Sequence, residues 1–243
     1  MPRQLVTCLL FLLAGLTSRA QYYFENLTTE NGLSDNRVTC FFKDSKGFMW
    51  IGTANGLNRY DGHSLRIYRP GQSRFRLSGE FISSIAQDAK GRMWIATHSG
   101  LNVLNVEKDS LQVFSPDDDA FPKRSEGLAS ILIRDIKIDK AGRIWLAPDR
   151  RDLCYYDQTA NKFIYKPWMK FSETLFPEIK GRYCAINKIY SRGDTALWLG
   201  TTLGLFSYNI AKDQFHFYAG KLQDDFLSLH EDIHTKKVYF TQQ

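Results

Sequence analysis

Apolar runs long enough to cross a bilayer are missing from this 243-residue chain. Blocks of five or more Lys/Arg are missing too, so a nucleic-acid footprint is unsupported. Seven prolines and 17 glycines are too few for a low-complexity chain. Cysteine is limited to Cys8, Cys40, Cys154 and Cys184, whose wide spacing forms no disulfide framework. There is no phosphate-cradling glycine loop, no nucleophile elbow and no convincing amphipathic helix. Nothing therefore marks a catalytic, metal or cofactor site, and the expectation for each is none.

The first twenty residues stand apart. Arg3 provides a positive start, Val6 to Leu16 is apolar except for Thr7 and Gly15, and Ser18 and Ala20 flank Arg19 as small residues. That is the layout of a cleavable secretory signal, with cleavage before Gln21. Cys8 lies within the apolar run with no lipobox before it, so no lipid anchor is indicated. Cleavage lowers the formal charge from +6 to +4. The three remaining thiols cannot all pair internally and read as buried, and the exported segment is expected to make no membrane contact of its own.

Aromatics, by contrast, are plentiful at 14%, which suits a β-rich chain. They recur: segments 38–69, 82–114, 133–165 and 186–218 align on Trp50, Trp94, Trp145 and Trp198, spaced 44, 51 and 53 residues apart. A fifth copy begins at Phe226, with Tyr239 in the tryptophan place. Each copy has a turn before its tryptophan. Asp44-Ser45-Lys46-Gly47, Asp88-Ala89-Lys90-Gly91 and Asp139-Lys140-Ala141-Gly142 use Asp to bond their own backbone and Gly to take positive φ. The fourth turn is altered to Ser191-Arg192-Gly193-Asp194. A second turn ends in Gly56, Gly100 and Gly204; next come Leu57, Leu101 and Leu205, then Tyr60, Leu104, Tyr156 and Tyr208. Tyr68, Phe114, Tyr165 and Tyr218 close the copies.

Each copy thus reads as four short strands with two-residue periodicity, which is the period of a β-propeller blade. The expected fold is all-β, a β-propeller of four-stranded antiparallel blades. The blades fall at 36–69, 81–115, 131–166 and 184–219, with a partial one at 225–243. The Trp, Leu and Tyr positions read as core, and Asp61 and Asp157 as turn residues. Tyr22-Tyr23-Phe24 resembles the aromatic last strand of a blade without its first three, so 22–27 is expected to be a closing strand for an absent blade. At this repeat length a seven-bladed ring needs roughly 345 residues. The chain is therefore expected to be the N-terminal piece of a longer protein, poorly stable alone.

Gly32-Leu33-Ser34-Asp35-Asn36-Arg37-Val38, then Asp44 to Thr53, then Gly56-Leu57-Asn58-Arg59-Tyr60-Asp61-Gly62, resemble the two-component regulator propeller repeat. The second copy keeps Trp94-Ile95-Ala96-Thr97 and Gly100-Leu101-Asn102. The third departs most, with Pro148 to Asp152 and one added residue. The resemblance implies the periplasmic sensor region of a hybrid histidine kinase, homodimeric when complete, whose kinase lies outside this chain. It also implies an oligosaccharide ligand and control of glycan-utilisation genes. A propeller-fold carbohydrate-active enzyme, lyase-like, and a protein-binding scaffold are the alternatives.

His230-Glu231-Asp232-Ile233-His234 spells a zinc-protease motif. On a strand, positions i and i+4 lie about 13 Å apart, too far for one zinc with bonds of about 2 Å. The run Asp117-Asp118-Asp119 lacks the alternating ligands of a calcium loop. Inter-blade loops around 69–81, 115–130 and 166–184 share a face with the turns between second and third strands. Long loops on a rigid scaffold are the usual carriers of recognition. Arg37, Asn55, His98, Arg150, Arg151, Trp168 and Arg182 are expected there. An aromatic platform and planar hydrogen-bonding groups suit sugars, and Arg suits acidic ones.

Overall fold

A computed structural model describes residues 26–71, 76–114, 132–149, 151–180, 184–193, 195–219, 226–231 and 238–242. The expected secretory signal and Tyr22-Tyr23-Phe24 lie outside the described residues. Of the expected closing strand only Asn26 and Leu27 are described, and neither is in a strand.

The fold is all-β, as expected. Four four-stranded antiparallel sheets follow one another along the chain. The first blade is β1 (Val38–Lys43), β2 (Met49–Thr53), β3 (Gly56–Tyr60) and β4 (Leu65–Tyr68). The second is β5 (Ile82–Gln87), β6 (Met93–Thr97), β7 (Gly100–Asn105) and β8 (Ser110–Phe114). The third is β9 (Ile133–Ile138), β10 (Ile144–Pro148), β11 (Leu153–Asp157) and β12 (Lys162–Lys166). The fourth is β13 (Ile186–Arg192), β14 (Ala196–Thr201), β15 (Gly204–Asn209) and β16 (Gln214–Ala219). A hairpin, β17 (Phe226–Glu231) and β18 (Val238–Gln242), comes last. Sheet order equals chain order in every blade. The first strands β1, β5, β9, β13 and β17 lie side by side in sequence, so the blades radiate from an axis lined by those strands. Among the described residues the sheets do not close into a ring.

The tryptophan frame explains this packing. Trp50, Trp94 and Trp145 are at most 1% exposed. Each meets the next blade: Trp50 shares an apolar cluster with Leu104, while the Trp94 and Trp145 rings lie 5.5 and 5.6 Å from Tyr156 and Tyr208. Aromatic pairs at such separations add to the burial of their area. The turn aspartates do more than close a turn. Oδ1 of Asp88 accepts the Lys90 and Arg92 amides, and Oδ2 accepts the Trp94 indole N–H at 2.9 Å. Asp44 and Asp139 hold Trp50 and Trp145 in the same way, at 2.8 Å.

Asp61 and Asp157 are turn residues, accepting the His63 and Ser64 amides and the Thr159 and Ala160 amides. Hydrogen bonds from Ser64 and His63 lower the Asp61 carboxyl to about 2. Cys40 is half-buried, Cys154 and Cys184 are buried, and all three thiols are free. His230 and Glu231 lie in β17, opposite Tyr239 and Val238. Residues 232–237, with the second histidine of the zinc-like spelling, lie outside the described residues.

One element departs from the sequence reading. An α-helix, α1 (Trp168–Leu175), followed by a short 3-10 turn at Pro177–Ile179, fills the connection between the third and fourth blades. Trp168, expected on an exposed loop, is fully buried. Helical spacing puts Trp168 and Ser172 on one face, and both are buried. Trp168 packs edge-on against Phe206 at 4.9 Å and near Phe215 at 5.6 Å. It is a core residue and is excluded as a ligand platform.

Candidate functional site

The face carrying the inter-blade connections is assembled by one repeated hydrogen bond. The turn between second and third strands donates an amide to the residue just before the inner strand. The pairs are Ala54 to Arg37 (3.0 Å), His98 to Phe81 (3.3 Å), Asp149 to Leu132 (2.7 Å) and Thr202 to Ala185 (3.1 Å). Every blade thereby presents a turn and a lead-in segment together, at the same end of the axis.

Beneath this face, two blades carry a matching buried polar set. Asn58 donates to the Ser34 hydroxyl at 2.7 Å and accepts the Ser34 amide at 2.9 Å, and Ser34 Oγ meets Thr53 Oγ1 at 2.7 Å. Asn102, Ser78 and Thr97 repeat the arrangement in the second blade. Thr53 and Thr97 also accept the Asn55 and Ser99 amides at 3.1 Å, which fixes both turns. A fully satisfied polar network of this kind rigidifies the scaffold around it. In the third blade Pro148 takes the threonine place, and in the fourth Phe206 takes the asparagine place and receives Trp168 instead.

Of the residues expected on this face, Arg37 and His98 both pack on Phe81. The His98 ring stacks on Phe81 with centroids 3.9 Å apart, and the Arg37 guanidinium carbon lies 5.5 Å from the Phe81 centroid. Both expected residues are exposed, and Phe81 is half-buried. Asn55 sits beside them, since its neighbours Ala54 and Gly56 donate amides to Arg37 and Glu80. The Asn55 carbonyl accepts Arg69 Nε at 3.0 Å, while Arg69 Nη2 reaches the Ser34 carbonyl at 2.7 Å. Arg151 is half-buried and stands near Cys154 and Tyr165, inside its own blade. Arg150 and Arg182 lie outside the described residues.

The sequence reading missed Phe81, Arg69, Arg134, Asp149 and Asn187. Arg134 Nε binds Asp149 Oδ1 at 2.6 Å, and its Nη1 donates to Asn187 Oδ1 at 3.2 Å, which joins the third blade to the fourth. Partial desolvation of the His98 imidazole, which stacks on Phe81, holds it below its ordinary pKa, helped by Arg134 and then Arg37, with Asp149 opposing. The shared lead-in position of Arg37 and Phe81 was the signal that could have found Phe81.

The inner strands also line a cavity of about 410 Å³ open on one side. Its wall is held by Asp135, which accepts Ser84 Oγ at 2.8 Å and the Ile189 amide at 2.9 Å, with Lys188 Nζ at 3.6 Å. These bonds span the second, third and fourth blades, so Asp135 acts as a brace. Among the described residues, no group of three or more His, Cys, Asp or Glu could hold a metal ion. No helix of the described residues is long and apolar enough to cross a membrane.

Known proteins share both the repeat and the fold. The two component regulator propeller family matches residues 32–55 and 76–99. A histidine kinase of Formosa agariphila is 38% identical over 64 residues, covering 25% of this chain and 5% of that protein. The extracellular domain of a protein described as a hybrid two component system from B. thetaiotaomicron superposes with a TM-score of 0.72 at 22% identity, over 91% of this chain and 30% of that one. Virginiamycin B lyase from Staphylococcus aureus shares the fold with a TM-score of 0.63 at 11% identity, over 87% of this chain and 65% of that one. The chain thus spans a small part of the kinase and under a third of the extracellular domain.

Proposed function

We propose, from the premise that this chain carries two-component regulator propeller repeats, that it is a ligand-sensing propeller segment of a hybrid two-component histidine kinase. It is exported to the periplasm and detects oligosaccharides, to control genes for their use. The segment is not itself catalytic; the kinase lies elsewhere in the protein. One observation carries the reading. The two family matches, 32–55 and 76–99, run from the lead-in serines through the second turns. They therefore contain Arg37, Asn55, Phe81 and His98, so the repeated unit includes the segments that build the face. The 64-residue likeness to a histidine kinase supplies the link to signalling.

The mechanism follows from the scaffold. Braced turns offer a rigid surface, and a ligand that spans several blades favours one arrangement of the dimer over another. A saccharide array on the complete ectodomain tests this. Binding of one oligosaccharide class without turnover, together with ligand-dependent phosphorylation by the full-length protein, is expected. Turnover would favour a carbohydrate-active enzyme, and retention of a protein alone would favour a scaffold.

A further inference from the structure

We infer that the ligand taken at this face is an acidic saccharide, its carboxylate or sulfate held by Arg37 and His98 beside the Phe81 ring, with Arg134 behind them. The inference rests on the sensory reading above and adds the class of sugar.

Most charges near this face are already committed. Arg134 is engaged by Asp149 and Asn187. Arg69 is engaged by the carbonyls of Asn55 and Ser34. Asp35 faces the Arg37 backbone rather than its guanidinium, accepting the amide at 2.7 Å. Among the described residues no carboxylate forms an ion pair with Arg37, whose guanidinium lies over the Phe81 ring. An arginine on an aromatic face keeps its in-plane N–H donors free, and those donors match the two oxygens of an oxyanion.

Geometry adds to this. Arg37 belongs to the first blade, Phe81 and His98 to the second, Arg134 and Asp149 to the third. Most surface arginines are solvated and isolated. Here equivalent lead-in and turn positions of successive blades converge near the axis, and the amide bonds that fix them are the repeated ones. Arg134 and Arg37 both act on His98 as positive charges that disfavour an added proton, and Asp149 is the smaller opposing influence. An anion is the partner such charges attract. The Asn55 side chain, in the adjoining turn, offers the planar amide that a sugar hydroxyl takes.

Isothermal titration of the complete ectodomain tests it, using digalacturonate, a sulfated galactose disaccharide, neutral galactobiose and sodium sulfate. An acidic disaccharide is expected to bind about tenfold or more tighter than the neutral one. Arg37→Ala should cost that preference, Arg37→Lys should restore part of it, and high salt should erode it. Arg66→Ala, which removes the cation lying over Tyr68 in the outer strand of the first blade, should leave binding unchanged. Neutral disaccharide binding as tightly, or acidic binding that ignores Arg37→Ala, overturns the acidic class and leaves the sensory reading intact. Sulfate alone binding as tightly as the sugars overturns it in favour of a bare anion site. Failure of every saccharide, in this set and in a neutral array, overturns the sensory reading itself.

Discussion

Replacing Asp88 by alanine tests whether the turn aspartates hold the blades together through their tryptophans. The carboxylate is 1% exposed and meets five nitrogen atoms: the Lys90 and Arg92 amides at 3.0 Å, Arg92 Nε at 2.8 Å and Nη2 at 2.7 Å, and the Trp94 indole at 2.9 Å. Truncation removes the buried member of an ion pair whose arginine is 25% exposed, and hydrogen bonds to a charged group contribute about 1.5–3 kcal/mol. It also leaves the indole N–H without its acceptor; a buried donor in that state costs about 1–3 kcal/mol, part of the same total. The turn amides lie at the rim, where water replaces the carboxylate, so the indole is the durable loss. Domains of ordinary stability have about 5–15 kcal/mol in all, so the change is large.

Urea unfolding of the complete ectodomain, followed by tryptophan fluorescence, gives the number. A double-mutant cycle with Trp94→Phe isolates the indole bond, because phenylalanine keeps most of the ring but has no N–H. The expected coupling is about 1–3 kcal/mol. Asp61→Ala provides the contrast, since its carboxylate also accepts backbone amides and a hydroxyl but lies at an exposed hairpin and touches no tryptophan. If Asp88→Ala shifts the midpoint no further than Asp61→Ala, or the cycle is additive within about 0.5 kcal/mol, the reasoning fails.

Gly52→Ala should destabilise by about 1–3 kcal/mol in the same assay, the usual range for overpacking. Its Cβ would lie 2.5 Å from Cys40 Sγ and 2.9 Å from Ile82 Cγ2; an unchanged midpoint would show that the first inner strand yields. Burial pushes the Cys40 thiol up to about 11, so iodoacetamide at pH 8 should modify it in urea and leave it untouched in the folded protein. Rapid native labelling would contradict this. His98 should titrate below the ordinary histidine value of about 6.5 in an NMR experiment. Because folding favours its neutral form, its stabilising contribution is present above the unfolded pKa and is lost as pH falls through the folded one. A bound carboxylate between Arg37 and His98, with Arg134 and Asp149 unchanged, should move that midpoint back up; a midpoint at or above the ordinary value in the free protein would refute the account.

The strands were legible because each copy of the repeat restates the same alternation around a tryptophan, and local pattern and packing agree. The second role of Asp44, Asp88 and Asp139 was hidden, since an aspartate two or three residues before a glycine already accounts for a turn. Helix α1 escaped because eight residues give barely two turns of periodicity. Trp168 then read as a loop aromatic by default. A signal did exist: the fourth repeat has Phe206 where the first two have Asn58 and Asn102. Loss of the asparagine removes the partner of the lead-in serine, and an apolar side chain must fill the space. Arg37 and His98 were legible as members of a face, but their meeting at Phe81 depended on a hydrogen bond between chain segments that sequence does not display.

The same inner strands explain how a ligand at the axis could act at a distance. The Thr39 hydroxyl donates to the Ile82 carbonyl, Ser83 to Ile133, and Arg134 to Asn187, so the first four inner strands are tied in series from equivalent donor positions. One residue further along, Asp135 braces Ser84 and the Ile189 amide. A ligand bridging Arg37, His98 and Arg134 would pull on three blades already linked in series. Close-packed units linked in this way respond by moving together, because their packing is not continuously deformable. On the proposed sensory reading, the signal passed on is a rigid-body displacement of the propeller, and a flexible loop closing over the ligand is not required for it.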